Sequence, residues 1–336
     1  MLPASHARNI PIGASSNMNR GVSDLAVISG EAVLAAIEPA TAVERTRHAF
    51  ERHAAGDWAM PAKVYLDSPP RGDFRAMPAR GDGLALLKWV TSFPSNLERG
   101  LPAVRGVVVL SDAGDGRELA VIECASVTSL RTGGAAAVSA QALAPEGART
   151  VGVIGCGVNG SWAARCLAAC GYGPGVCCDP RAEAAEALAA ELGWEAGDRR
   201  RAADQDIVVT VTPGDAPVIT KDGLREGQHI AALGADAHGK AEVELQAIAS
   251  CRLFCDEWAQ ASAGGELAHA VEAGAVGRDD VTQIGEVLAA SADGRTSAEE
   301  VTLFDSTGLA IQDLAIAQAV YEAWRDGAVE APTVSL

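Results

Sequence analysis

The chain has 336 residues, 48% hydrophobic and 21% charged, which supplies ample apolar material for buried cores and rules out global disorder. At ~100–200 residues per domain, that length suits two domains. Lys plus Arg number 27 against 44 Asp plus Glu, a net charge of −17, so nucleic acids and anionic membranes are poor partners; an anionic small molecule held in a locally positive cleft remains compatible.

Residues 1–22 are polar and rich in Ser, Asn, Pro and Gly, without the ~7–15-residue apolar core of a secretory signal, and read as a flexible leader. Later apolar stretches are broken by Gly, Ser, Gln or charges, which argues against a membrane span. The eight cysteines form no C-x-x-C pair and fall mostly in apolar patterns. They read as reduced core thiols of a cytoplasmic protein, and no metal site is expected.

Residues 39–55 carry Val43, Arg47, Phe50 and Ala54 at helical spacing, and Gly56 ends that helix. Short extended runs follow at 63–66, 74–77, 85–90, 106–110 and 119–124, separated by turn-rich joints such as Ser68-Pro69-Pro70 and Asp112-Ala113-Gly114-Asp115-Gly116. This half predicts a mostly antiparallel sheet with flanking helices. A long helix of small residues spans 126–144 and stops at Pro145-Glu146-Gly147.

From residue 150 strands and helices alternate. Strands are expected at 150–154, 175–178, 206–212, 228–233, 251–254 and 301–304, with helices at 159–170, 181–192 and 240–250. Ile207-Val208-Val209 and Ile230-Ala231-Ala232-Leu233 are apolar on both faces, as buried parallel strands are. The fold class is therefore α/β with a doubly wound, Rossmann-type sheet. A closing helix over 308–326 carries Leu314, Ala317, Tyr321 and Trp324 on one stripe and returns to the first half.

Gly155, Gly157 and Gly160 form G-x-G-x-x-G directly after an apolar strand and at the start of a helix. The first glycine permits a tight turn, the second lets the backbone approach a pyrophosphate, and the third lets helix and strand pack closely. The helix opening at Val158 and Asn159 adds amide donors and positive potential. Asp179 ends the next strand, about 20 residues on, where an acid accepts bonds from ribose hydroxyls and repels a 2′-phosphate. That favours NAD, while Arg181, two residues later, leaves room for NADP. Thr212, ending a neighbouring strand at the same edge, is placed to touch a cofactor.

The remaining candidates are mostly basic. Lys88 stands in the apolar run Leu84-Ala85-Leu86-Leu87-Lys88-Trp89-Val90, where it either snorkels from an edge or is buried for a purpose. Lys63, Arg75 and Arg131 are each compatible with plain surface positions. Asp236 follows a parallel strand through Gly234-Ala235, at the edge where ligands bind in such sheets, or caps the next helix. The histidines form no metal or triad pattern, and no G-x-S-x-G supports serine hydrolysis.

These residues together resemble the ornithine cyclodeaminase/mu-crystallin family, most of all its archaeal-type alanine dehydrogenase branch, from about Leu25 to Trp324. The matching pieces include Met60-Pro61-Ala62-Lys63-Val64-Tyr65-Leu66, Phe74-Arg75-Ala76-Met77-Pro78-Ala79 and Ser129-Leu130-Arg131-Thr132-Gly133-Gly134-Ala135. Further pieces are Gly234-Ala235-Asp236, Asp256-Glu257-Trp258-Ala259-Gln260 and Phe304-Asp305-Ser306-Thr307-Gly308. The resemblance implies that Arg75, Arg131 and Lys63 bind substrate, that Lys88 and Asp236 are catalytic, and that Thr132, Ser306 and Gly308 lie near the cofactor. It implies a homodimer joined through a substrate-binding and dimerisation domain (23–130 with 312–336), beside an NAD-binding domain with its bridging helix (131–311).

The expected activity is reversible, NAD-dependent oxidative deamination of a small L-amino acid to its 2-oxo acid, with release of ammonia. Imine-forming or imine-reducing chemistry and non-enzymatic, mu-crystallin-like nucleotide binding are the alternatives. Two departures stand out. Arg75 occupies the position where ornithine-cyclising members carry a glutamate, which argues against ornithine. His238, two residues from Asp236, is unusual for the alanine branch and is expected to alter the site.

Overall fold

The computed structural model describes residues 24–335 apart from 215; the expected leader at 1–22 lies outside them. The first half forms strands β1 (Asp24–Ile28), β2 (Val64–Ser68), β3 (Gly72–Gly81), β4 (Leu84–Ser92), β5 (Val104–Asp112) and β6 (Glu118–Glu123). With a C-terminal strand (Thr333–Ser335) they make a seven-stranded sheet in the order C-terminal strand, β1, β6, β5, β4, β3, β2. Only the β1–β6 pair is parallel.

Side chains alternate across the pleat, so each strand has an inner and an outer set. Arg75, Met77 and Ala79 of β3 pair in register with Val90, Lys88 and Leu86 of β4, and all six are buried. The intervening residues Leu87 and Trp89, with Val64, Leu66 and Val107 on neighbouring strands, leave an apolar outer face exposed. The apolar run around Lys88 is thus two sets of residues serving two faces, and Lys88 belongs to the inner one.

Helices α1 (Gly30–Ala36) and α3 (Cys124–Leu143), together with the closing helix Ala310–Arg325, cover the inner face, and α2 (Pro39–Ala54) packs on α3 and the closing helix. Helix α3 starts on Glu123, whose carboxylate accepts bonds from the Ala125 and Ser126 amides, a strong N-cap. Its small residues permit close packing on two sides. A Cβ on Gly134 would lie 2.3 Å from Thr46 Oγ1 of α2, and one on Gly133 would lie 2.6 Å from the Trp162 carbonyl oxygen.

The second half contributes β7 (Val151–Ile154), β8 (Gly175–Cys178), β9 (Glu195–Ala196), β10 (Ile207–Thr210), β11 (His229–Ala232), β12 (Arg252–Cys255), β13 (Val281–Gln283) and β14 (Thr302–Asp305). All pairs are parallel, in the order β13-β12-β14-β11-β10-β7-β8-β9. Strand order reverses between β7 and β10, which opens a crevice at their carboxyl ends. Helix α4 (Val158–Ala169) runs from that crevice, and α5 (Ala182–Leu192) follows β8.

One expected element is absent in most of its length. The helix read over 240–250 is reduced to Leu245–Ile248. Upstream of it the Glu242 and Val243 amides donate to the Glu266 carboxylate, and Val243 bridges Ile219, so the backbone is committed elsewhere. Among the described residues no helix is long and apolar enough to cross a membrane.

Candidate active site

The carboxyl edge of the parallel sheet and the inner face of the antiparallel sheet meet at one cleft. The glycine loop after β7 lies at this edge. A Cβ on Gly155 would come within 2.4 Å of the Val211 carbonyl oxygen, and one on Gly160 within 1.8 Å of the Gly155 carbonyl oxygen, so both are held by close packing. At Gly157 a Cβ would meet nothing within 4 Å. That open space sits at the N-cap of α4, ahead of exposed Val158 and half-buried Asn159, and the arrangement fits a dinucleotide pyrophosphate.

Asp179 follows β8. Its Oδ2 accepts the Cys156 amide at 2.8 Å, and its Oδ1 accepts the Arg181 amide at 2.9 Å. Burial alone would raise its carboxyl, but bonds from Arg181 and the two amides hold it below the usual range. Arg181 is the more exposed of the two and lies over the carboxylate. Thr212 donates both its amide and its hydroxyl to Glu242, at 2.6 and 2.8 Å. Glu242 also accepts the Gly234 amide at 2.7 Å, and so pins the loops leaving β10 and β11.

Asp236, beyond β11, reaches the other sheet. Arg75 Nη1 donates to its Oδ2 and Lys240 Nζ to its Oδ1, both at 2.6 Å. Burial opposes the charge, but these two cations keep the carboxyl well below its ordinary range. With two such counterions the Asp236 carboxyl is held in its ionised form. Arg75 also donates to Asp73, from Nε at 2.6 Å and from Nη2 at 3.2 Å. Three of its five N–H donors are thereby used and two remain. Tyr65 completes this wall, with the Arg75 guanidinium 5.3 Å from its ring centroid.

Lys63 is half-buried, and its Nζ donates to the Thr307 carbonyl oxygen at 2.8 Å. Burial pushes its ammonium down, Asp256 and Asp236 pull it back up, and the outcome is about 8. Thr307 belongs to the strap Ser306-Thr307-Gly308 that leaves β14. On its far side the strap is held by Asp256, whose Oδ2 accepts the Gly308 amide at 2.7 Å and whose Oδ1 accepts the Thr307 hydroxyl at 3.1 Å.

Arg131 projects from α3 against Gly308; a Cβ at Gly308 would fall within 2.5 Å of Arg131 Nη1. Its Nε is buried without a hydrogen bond and lies 3.6 Å from Asp313 Oδ1. Thr132, the next residue, donates its hydroxyl to the Thr128 carbonyl oxygen of α3, at 2.7 Å. Lys88 does not point into open cleft. It is 1% exposed, and Nζ donates to Thr128 Oγ1 at 2.7 Å and to Asp313 Oδ1 at 2.8 Å. His238 also departs from expectation: its exposed ring pairs with Glu272 at 3.3 Å, away from Asp236.

The structure thus brings Lys63, Arg75, Arg131 and Asp236 together beside the strap and sets Lys88 one layer behind. Sequence reasoning assigned no role to Asp256, Asp313, Lys240 or Glu242. Asp313 carried a readable signal, because it lies four residues before Ala317 and so on the apolar stripe of the closing helix. Asp256 carried the same signal as Asp236, an acid just past a parallel strand.

Residues 25–328 match the model of the ornithine cyclodeaminase/mu-crystallin family. The alanine dehydrogenase of Archaeoglobus fulgidus is 40% identical over 303 residues, covering 88% of this chain and 94% of its own. The iminosuccinate reductase of Paracoccus denitrificans is 38% identical over 237 residues, 68% of this chain and 74% of its own. Among solved structures, an archaeal alanine dehydrogenase dimer with bound NAD superposes with a TM-score of 0.89 at 38% identity, covering 93% of this chain and 99% of that one.

Proposed function

The chain belongs to the ornithine cyclodeaminase/mu-crystallin family, and we propose that it is an NAD-dependent oxidoreductase interconverting a small L-amino acid with its 2-oxo acid and ammonia. The observation that carries this reading is the placement of Lys63, whose Nζ donates to the Thr307 carbonyl at 2.8 Å beside Asp236 and two arginines, where burial draws its ammonium down to about 8. A surface lysine at ~10.4 would be a poor proton carrier near neutral pH.

The substrate carboxylate is held by the free end of Arg131 and the two unused N–H groups of Arg75, as charge-assisted bonds. The Gly155–Gly160 loop and Asp179 would hold NAD, which would supply the hydride acceptor when bound. Neutral Lys63 accepts the proton from the α-ammonium group and releases it to solvent; it then accepts a proton from the water that adds to the substrate iminium and returns it to the nitrogen that leaves as ammonia. Ionised Asp236 stays charged throughout. It orients Arg75 and favours the cationic iminium over the neutral amine. Lys88 and Asp313 form the wall behind Arg131. The apolar outer face of the seven-stranded sheet seats a second copy, in keeping with the dimeric archaeal relative.

A second reading is reduction of a small 2-imino acid, favoured by the likeness to the iminosuccinate reductase. It uses the same residues without the water step. The test is a panel of L-amino acids with NAD set beside 2-oxo acids with ammonia and 2-imino acids with NADH. Turnover of an amino acid to free ammonia supports deamination. Turnover of imines alone selects the second reading, and tight NAD binding without turnover of any substrate overturns both.

Cofactor choice gives a further expected result. Asp179→Ser removes the charged acceptor and is expected to weaken NAD about tenfold or more, the size of one charged hydrogen bond. Arg181, freed of its counterion, is then available to a 2′-phosphate, and NADP binding improves. Fluorescence titration of both cofactors checks this. A wild type that already prefers NADP by about tenfold would reverse the assignment.

A further inference from the structure

Asp256 is 4% exposed and has a full set of bonds, none of which the reaction described above uses. Its Oδ1 accepts the Glu257 amide at 2.8 Å, and the strap supplies the other donors: Gly308 N, the Thr307 hydroxyl and the Ser306 hydroxyl at 3.4 Å. Lys63 binds the same strap from its opposite side, at the Thr307 carbonyl. One residue therefore has a carboxylate on its hydroxyl and an ammonium on its carbonyl.

Resting on the reading of Lys63 as the proton carrier, we propose that Asp256 is a positioning residue that fixes Lys63 through this strap and stabilises its ammonium form. A strap-holder alone would not require charge; an asparagine or serine could accept the Gly308 amide. A buried carboxylate is costly unless compensated, and Lys63 is the cation that offsets it.

The charged groups around Lys63 come from four elements. Asp256 follows β12 and Asp236 follows β11; Arg75 lies on β3, Arg131 on α3, and Lys240 sits beyond Asp236. Asp236 is shared by two other cations, whereas Asp256 makes no ion pair within the described residues, so its field falls mainly on Lys63. Asp305, at the end of β14, lies behind Asp256. Burial and then Asp256 itself push the Asp305 carboxyl well up.

The test compares wild type, Asp256→Asn, Asp256→Glu and Thr307→Val. The first readout needs no turnover: competitive acetylation of Lys63 against pH, read by peptide mass spectrometry on the full chain. The second is the pH profile of kcat/KM. Asp256→Asn is expected to move the Lys63 midpoint about one pH unit or more toward acid, as loss of a neighbouring opposite charge does. Asp256→Glu restores it, and Thr307→Val, which loosens the strap but keeps the charge, leaves it in place.

If Asp256→Asn does not fold, Asp256→Ser makes the same comparison. An unmoved midpoint in Asp256→Asn, or an equal shift in Thr307→Val, overturns the role of Asp256. A kinetic limb near 8 that persists in Lys63→Arg overturns the Lys63 reading, and the proposal with it; the labelling midpoint tells the two failures apart.

Discussion

Replacing Lys63 with methionine is expected to lower kcat/KM by roughly 10²–10⁴-fold, the ordinary worth of a positioned proton carrier. Affinity for NAD should hardly change, because Lys63 bonds the Thr307 carbonyl, whereas the Cys156 amide of the glycine loop is bonded to Asp179. The sign of the pH dependence differs between the two directions. Oxidation of an amino acid requires neutral Lys63, so kcat/KM rises with pH through about 8. Reductive amination requires the ammonium, so that profile falls through the same value. Lys63→Arg is expected to lose both limbs, since guanidinium keeps its proton throughout this range. Profiles that retain mirror-image limbs in Lys63→Arg would assign the proton to another group.

The second large effect is on stability. Lys88 and Asp313 are 1% and 0% exposed and bonded at 2.8 Å. Lys88→Met leaves Asp313 as a buried charge with only Arg131 nearby, at 3.6 Å. Loss of one partner from such a pair costs ~3–5 kcal/mol. Urea unfolding should show the loss, and Lys88→Met combined with Asp313→Leu should recover most of it, because a buried pair can be exchanged for apolar packing at little cost. A single-variant loss under ~1 kcal/mol would mean that water or a backbone shift relieves Asp313.

The contrast between Lys88 and Lys63 shows how far the residues themselves could be read. The glycine loop was legible because its constraints are local: a turn, a close approach and a helix start within six positions. The inner placement of Arg75 and Lys88 follows from strict alternation along β3 and β4. Asp313 lies 225 positions from Lys88, and nothing near either residue names the other. Asp236 was found by its place at a strand end, but its character was set by Arg75, 161 positions away. The expected helix over 240–250 failed for a like reason. Its periodicity was adequate, but Glu266, distant in sequence, captured the amides of Glu242 and Val243.

Strand β4 is written in two interleaved scripts, with Lys88 on one side and Leu87 and Trp89 on the other. Each letter can be revised without touching its neighbour's face, so a lineage can alter its chemistry or its subunit contact one substitution at a time. A single inserted or deleted residue would exchange the scripts, turning an ammonium outward and an indole toward the cleft. Length change in this strand pair is compatible with both faces only at the joints. The joint Asp82-Gly83 between β3 and β4 is such a place: both residues take left-handed backbone angles and lie outside both strands. Diversification of substrate range is therefore channelled into point changes on the inner face and into loops that open onto it, while the lengths of β3 and β4 are held fixed by two surfaces at once.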